Sequence, residues 1–443
     1  MAKLFDMLKA QPAKAPIGDP QELQAKFKYW RKRTLIASMV GYAIFYFVRK
    51  NFSMAMPYFN QELGYSKTDL GMILFSFSII YGLGKFVNGA FADRANPRFF
   101  MAIGLLGSAI VNIFFGLSSS LLFFGVFWLF NAFFQSMGWP PCARLLTYWF
   151  SRKERGLWFG VWNASHSIGG AGILILCGYL IPILGWRSAF FIPAFLAVIT
   201  SIFLLYALRD TPASLGLPPA DKKEPILTEE DTQTGAAPTY KDIFLKHVLY
   251  NPQVWLMSFA NFFVYIVRIG ILDWAPTFLM EAKGSSLAEA GWQVAAFEIA
   301  GIGGGVAAGA WSDKISGGKR GPINIIFSLG LLACILGLWL VPPGGKWLDG
   351  LMLMGAGFLV YGPQLLAGVA AVDSSSADAA GTATGMVGFF GYLGSAACAL
   401  GTGIAVDRWG WDGGFLFYGS AALIATLIFA ISLTIEGKKR APH

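Results

Sequence analysis

Two short stretches, "YFVRK" at 46–50 and "YIVRI" at 265–269, each set a tyrosine three residues ahead of an arginine inside otherwise apolar sequence. On insertion scales an arginine at the centre of a bilayer costs about 2.5–3.5 kcal/mol, so Arg49 and Arg268 need a reason to be there. A guanidinium is planar, stays charged, and offers a fork of donors that matches two oxygens of a phosphoryl group. The acids available to neutralise the pair are Asp273, Glu298 and Asp373, and the deeper apolar runs of the first half offer none near Arg49. If internal acids pair with them, the arginines are structural. If they face each other unneutralised, they form an anion site, and phosphate is the anion their geometry selects.

Further polar residues lie within the apolar runs. Lys85, in "SIIYGLGKFVNG" beside Tyr81, either lines the same cavity or snorkels to a nearby helix end. His166, in "WNASHSIGG", has a near-neutral pKa suited to phosphate, and Asn163 precedes it by about one turn. Both are read as lining a cavity. Tyr42, Tyr46, Tyr81, Tyr265, Tyr361 and Tyr392 are intramembrane hydroxyls that need partners. Packing explains any single one of them, whereas a polar organic moiety would use several.

The turns "GAFADRANPR" (89–98) and "GAWSDKISGGKR" (309–320) place Asp93, Arg94, Asp313 and Lys314 at equivalent helix ends, where they suit a gate or folding element. Gly89 and Gly309 are expected to permit close helix packing there. Asp273 and Glu298 are grouped with this gating or structural set. The chain has no Cys/His metal spacing, no phosphate-binding P-loop and no carboxylates paired for acid–base work. An enzyme, a metal and a cofactor are therefore not expected.

The elements that must position these residues are membrane-spanning helices. Hydrophobic residues make up 55% of the chain and charged residues 13%, and the mean hydropathy is +0.56, against roughly a quarter charged in soluble domains. Apolar runs long enough to cross a bilayer recur about twelve times. The four cysteines stand singly in such runs and read as buried small residues. The net charge of +9 comes from lysines and arginines concentrated in alternate connections, which places both termini and the middle loop in the cytoplasm. Nucleic acid is not implied.

The chain divides into a segment 1–32, a first bundle 33–208, a polar linker 209–250, a second bundle 251–435 and a tail 436–443. The bundles repeat: the glycine–aspartate turns above correspond, as do "GWRSAFF" (185–191) and "GWDGGFLF" (410–417), at a near-constant offset. "YFVR" and "YIVR" then fall on the first helix of each bundle. An all-α membrane protein of twelve transmembrane helices in two pseudo-symmetric six-helix halves follows, which is the major facilitator pattern.

The stretches "GYAIFYFVRKNFSMAMP" (41–57), "DLGMILFSFSIIYGLGKFVNGAFADRANPRFF" (69–100), "GWPPCARLLTYWFSRKERG" (138–156), "WNASHSIGG" and "YIVRIGILDWAPTFL" (265–279) resemble the organophosphate:inorganic phosphate antiporters of that superfamily. The resemblance runs from about residue 26 to 435. It implies exchange of an organophosphate for inorganic phosphate across a bacterial inner membrane, by a chain acting as a monomer. It also implies that Arg49 and Arg268 bind the phosphoryl group and that Lys85 and His166 assist. "MGWPPC" (137–142), "GILDW" (270–274) and "GWDGGF" (410–415) are similar to the glycerol-3-phosphate carriers, and "GPQLLAGVAAV" (362–372) to the hexose-6-phosphate side. "ARLLTYWFSR" (143–152) and "GPINIIF" (321–327) are similar to a hexose-phosphate sensor that signals to a histidine kinase. The span-eleven aspartate and lysine of well-known hexose-phosphate carriers are replaced here by the uncharged "GTATGMVG" (381–388). Hexose 6-phosphate is the expected substrate, with glycerol 3-phosphate and a sensor role as alternatives.

Overall fold

The computed structural model describes residues 11–92, 95–220, 248–316, 319–375 and 379–439. Asp93, Arg94, most of the 209–250 linker and the ends of the terminal segments lie outside the described residues. Among the described residues the regular elements are helical, with no β-strand. In chain order they are α1 (Pro20–Phe47), α2 (Asn51–Leu63), α3 (Lys67–Ala92), α4 (Pro97–Leu117), α5 (Leu121–Gln135), α6 (Trp139–Trp149), α7 (Arg152–Leu184) and α8 (Ser188–Ala207). A short 3₁₀ turn at Pro212–Leu215 follows, then α9 (Pro252–Glu281), α10 (Leu287–Lys314), α11 (Gly321–Leu340), α12 (Lys346–Asp373) and α13 (Ala380–Lys439).

Among the described residues, ten helical stretches are long and apolar enough to cross a membrane, and the last of them, Gly381–Thr434 within α13, is long enough to cross twice. Its two crossings meet at Gly410, whose φ of 64° is left-handed, a conformation glycine adopts without steric cost. Gly185, at the corresponding point of the first half, has φ 77°, so the duplication is written in the backbone as well as in the residues. With the broken first helix, α1 and α2, the count reaches the twelve spans of the expected fold.

Three boundaries differ from the sequence reading. The first helix starts at Pro20, well ahead of the expected residue 33. Asp19 accepts from the Gln21 amide at 3.0 Å, and a proline at the first helical position is pre-set for this start. The first span is then interrupted at residues 48–50, and the fourth at 136–138 between α5 and α6. The second has a local cause, since Gly138 is followed by Pro140 and Pro141 in the first turn of α6; the first holds neither proline nor glycine, so its cause is tertiary.

The chain forms two compact units. The first comprises Met1–Phe52, Ile80–Ile173 and Leu184–Gly235. Its core joins Tyr42, Phe45, Trp149, Trp162 and Leu204, and its apolar end is an aromatic stack in which Phe115 lies 4.1 Å from Phe124 and 4.4 Å from Phe190. At the basic end of α1, Arg31 pairs with Glu154 and lies 4.5 Å from the Phe150 ring centre.

The second unit comprises Ser53–Ile79, Leu174–Ile183 and Ala236–His443. Within it, α10 and α12 pack backbone to backbone. A Cβ on Gly304 would lie 1.8 Å from the Phe358 carbonyl oxygen, and one on Gly357 would lie 2.1 Å from that of Phe297. Small residues are what allow such contact between apolar helices. The glycines expected to do this, Gly89 and Gly309, do not: a Cβ at either meets no described atom within 4 Å. Of the cysteines, Cys142, Cys177 and Cys398 are buried as expected, while Cys334 is half-buried.

The second unit also shows how first-half segments seal against second-half helices. The Asp407 carboxylate of α13 accepts from the amides of Lys67 at 3.2 Å and Thr68 at 2.7 Å, and from the Thr68 hydroxyl at 2.6 Å. It therefore caps the N-terminus of α3 from outside that helix, where a negative charge is favoured. Lys67 also pairs with Glu281 at 3.1 Å, and the Ser78 and Ser395 hydroxyls meet at 3.0 Å. Asp407→Ala is expected to loosen this seal. A Ser78→Cys reporter should then react severalfold faster with a water-soluble maleimide than in the Asp407 parent; equal rates would show that the cap is dispensable.

Candidate functional site

Arg49 lies in the turn between α1 and α2, in the first unit. Within the break, the amides of Arg49 and Lys50 both turn back to the Tyr46 carbonyl, at 3.2 and 2.9 Å. The Arg49 guanidinium sits 4.3 Å from the Tyr81 ring centre and 5.5 Å from that of Tyr46. Aromatic faces attract a guanidinium without neutralising it. The Lys85 ammonium lies 5.5 Å from the same Tyr81 ring and 5.3 Å from Trp139, so Tyr81 joins the two cations. Tyr46 is 5.7 Å from the His166 ring and 5.7 Å from Tyr42, which packs on Trp162 at 4.7 Å.

His166 is buried. Its Nδ1 meets the Asn163 carbonyl, and its Nε2 is 3.3 Å from the Ser167 hydroxyl. A carbonyl only accepts, so the first contact is a hydrogen bond in the tautomer that carries its proton on Nδ1. The Asn163 side chain is exposed on its helix. The first unit thus gathers Arg49, Lys85, His166 and three tyrosines around one aromatic patch.

Arg268 lies in the second unit, within the unbroken helix α9, and is buried. Its Nη2 donates to the Tyr361 hydroxyl at 2.9 Å, and that hydroxyl donates to Glu298 Oε2 at 2.6 Å. The Tyr361 ring also lies 4.5 Å from the guanidinium carbon. Gly301, one turn beyond Glu298 on α10, makes the room: a Cβ there would fall 2.4 Å from the Tyr361 ring. Tyr265 is 5.7 Å from the guanidinium and 6.0 Å from the Tyr392 ring, and its hydroxyl accepts from Gln364 at 3.4 Å. Glu298, set apart above as a gating or structural acid, is here part of the arginine's own hydrogen-bond chain.

The remaining gate residues are dispersed. Asp273 is buried and accepts from the Ser53 hydroxyl at 3.1 Å. Asp313 receives Arg320 at 2.5 Å, and Arg320 also donates to Asp373 at 3.0 Å. Against the burial that disfavours its charge, these two carboxylates hold the Arg320 guanidinium above its ordinary pKa. Lys314 closes the last turn of α10. Sequence reasoning missed Gln364, Trp139, Gly301 and three buried asparagines, Asn51, Asn112 and Asn131. The asparagines were open to notice, because an amide in an apolar run needs partners as much as a tyrosine does.

This arrangement of apolar helices around guarded cations is that of a membrane transporter, and the comparisons agree. The Major Facilitator Superfamily profile matches residues 38–399, and the chain belongs to that superfamily. A solved bacterial homolog of the human lysosomal transporter Spinster, inward-facing and unoccupied, shares the fold with a TM-score of 0.73 at 16% identity, covering 91% of this chain and 95% of that one.

The sequence relatives are narrower. The chain is 45% identical over 428 residues to the probable hexose phosphate transport protein of Chlamydia trachomatis, covering 93% of each. It is 42% identical over 440 residues to the membrane sensor protein UhpC of Escherichia coli, covering 99% of this chain and 100% of the sensor. It is also 42% identical to the glycerol-3-phosphate transporter of Bacillus subtilis over 438 residues, covering 96% and 97%. Within the superfamily it is a member of the organophosphate:inorganic phosphate antiporter family, a family of transporters and not of enzymes.

Proposed function

We propose that this protein exchanges an organic phosphate, with hexose 6-phosphate preferred, for inorganic phosphate by alternating access in a bacterial inner membrane. It would act as a monomer with both termini in the cytoplasm. The observation that carries the reading is the pair of guanidiniums at equivalent points of a duplicated chain. Arg49 is held on aromatic faces and Arg268 on a tyrosine that a glutamate also engages. A guanidinium fork matches two oxygens of a phosphoryl group, and the tyrosines and Gln364 are suited to a polyol.

The coupling follows from charge. A guanidinium closed off from water without an anion carries an uncompensated charge in low dielectric, which opposes closure of an empty carrier. Either phosphate or the sugar phosphate removes that penalty, so only a loaded carrier crosses readily and exchange becomes obligatory. Outward phosphate flux then drives uptake.

Proteoliposomes loaded with labelled phosphate and challenged outside with glucose 6-phosphate, glycerol 3-phosphate or 3-phosphoglycerate test the reading. The expected result is efflux triggered best by glucose 6-phosphate. Efflux triggered best by glycerol 3-phosphate would move the substrate to that branch. The 42% identity to a sensor over its whole length supports a second reading, in which the chain binds sugar phosphate and signals. Binding of glucose 6-phosphate with no efflux under any challenge would favour it.

A further inference from the structure

The interruption of the first span places a peptide carbonyl where no helix partner serves it, deep in an apolar bundle. In a continuous helix the Val48 carbonyl would accept from the Phe52 amide, four residues on. At the break it instead accepts two side-chain amides, from Asn131 of α5 at 2.9 Å and Asn112 of α4 at 3.1 Å. Asn112 also donates to the Ser108 carbonyl of its own helix at 2.8 Å, and its oxygen accepts from Asn51 at 2.8 Å. Asn51, the first residue of α2, donates further to the Ala189 carbonyl of α8 at 2.9 Å. Val48 and the three asparagines are fully buried.

We propose that Asn51, Asn112 and Asn131 form a brace that holds the break open and so positions Arg49 for the phosphoryl group. The inference rests on the exchange reading above. Backbone groups left bare in a membrane interior are strongly disfavoured, and broken helices persist only where protein or water satisfies them. Here two helices, α4 and α5, supply that satisfaction at one carbonyl next to the candidate arginine, and Asn51 ties the α4 asparagine to α8. Closing residues 48–50 into regular helix would turn everything before the break about its axis by roughly 100° per residue, the helical repeat. The guanidinium would leave the faces of Tyr46 and Tyr81. The second half has no such device, because α9 runs unbroken through Arg268 and that arginine is held by Tyr361 instead. The brace is therefore a positioning element specific to one half. It acts through Arg49 and touches no ligand.

The test is inorganic phosphate binding to the purified full-length protein, titrated for Asn131→Leu, Arg49→Lys and the double variant. Asn131→Leu keeps the volume but removes the donor, and Asn131→Ser restores a hydroxyl donor. Asn131→Leu is expected to weaken phosphate binding about tenfold, Asn131→Ser to recover most of it, and Asn131→Leu to cost nothing more once Arg49 is lysine. Independent, additive losses in the double variant would overturn the brace as a positioning device and leave it a generic fold element. If Asn131→Leu does not give a monodisperse protein, the same cycle run with Asn131→Ser and Asn112→Ser decides the matter by the same criterion. Unchanged phosphate affinity in Arg49→Lys would instead refute the anion-site reading, so the two failures are distinguishable.

Discussion

Arg49→Lys and Arg268→Lys are each expected to reduce phosphate exchange in proteoliposomes to background, although both keep the positive charge. Lysine offers a single compact ammonium on a flexible stem, whereas the guanidinium presents two parallel donors to two oxygens. Removing one member of a buried, hydrogen-bonded charge pair costs about 2–5 kcal/mol, or about 30- to 5,000-fold in occupancy. At Arg268 the consequence is sharper. Its Nη2 donates to the Tyr361 hydroxyl, whereas an ammonium drawn to the Tyr361–Glu298 pair would settle there as an internal ion pair. At Arg49 the planar group lies 4.3 Å from the Tyr81 ring centre, and stacking of this kind favours guanidinium. Exchange at a substantial fraction of the parent rate in either variant would show that charge alone suffices and would sink the requirement for a guanidinium at that position.

The arginines were legible in the sequence because charge inside an apolar run has no background to hide in. The duplication then tied Arg49 to Arg268 before any coordinates were needed. The same duplication paired "GWRSAFF" with "GWDGGFLF", and the glycines that open them, Gly185 and Gly410, share a left-handed φ. The break at residues 48–50 was not. "YFVRKNF" contains no helix breaker, and the donors that stabilise the open carbonyl come from Asn112 and Asn131, on other helices. Local propensity cannot report a cause that is tertiary. Glu298 was seen as an available acid, but its connection to Arg268 runs through Tyr361 on a third helix, a geometry no spacing within one segment encodes. Glycine posed the opposite difficulty: "GIGGGVAAGAW" (301–311) offers too many candidates, and only the position of α12 shows that Gly304 is in contact while Gly305 and Gly309 are not.

That last distinction yields a second strong expectation. Gly304→Ala places a methyl group 1.8 Å from the Phe358 carbonyl oxygen, which is backbone and cannot rotate away. The two helices must part by on the order of 1 Å to reach ordinary contact, and overpacking of this kind costs about 1–3 kcal/mol or more. The cost falls on function as well as stability, because α10 carries Glu298 and α12 carries Tyr361. Their 2.6 Å hydrogen bond spans the same interface, one to two turns from Gly304, and would lengthen or break as the helices separate. Glu298 is fully buried, and a carboxylate that loses its donor there pulls on Arg268, which shares the Tyr361 hydroxyl with it, in competition with the proposed anion. A misplacement of about 1 Å costs on the order of a hundredfold where geometry carries the chemistry. Gly304→Ala is therefore expected to lower the melting temperature by several degrees and exchange by one to two orders of magnitude. Gly305→Ala, whose Cβ would meet no described atom within 4 Å, should leave both near the parent values. Similar behaviour of the two variants would mean that the α10–α12 spacing does not control the Arg268 site.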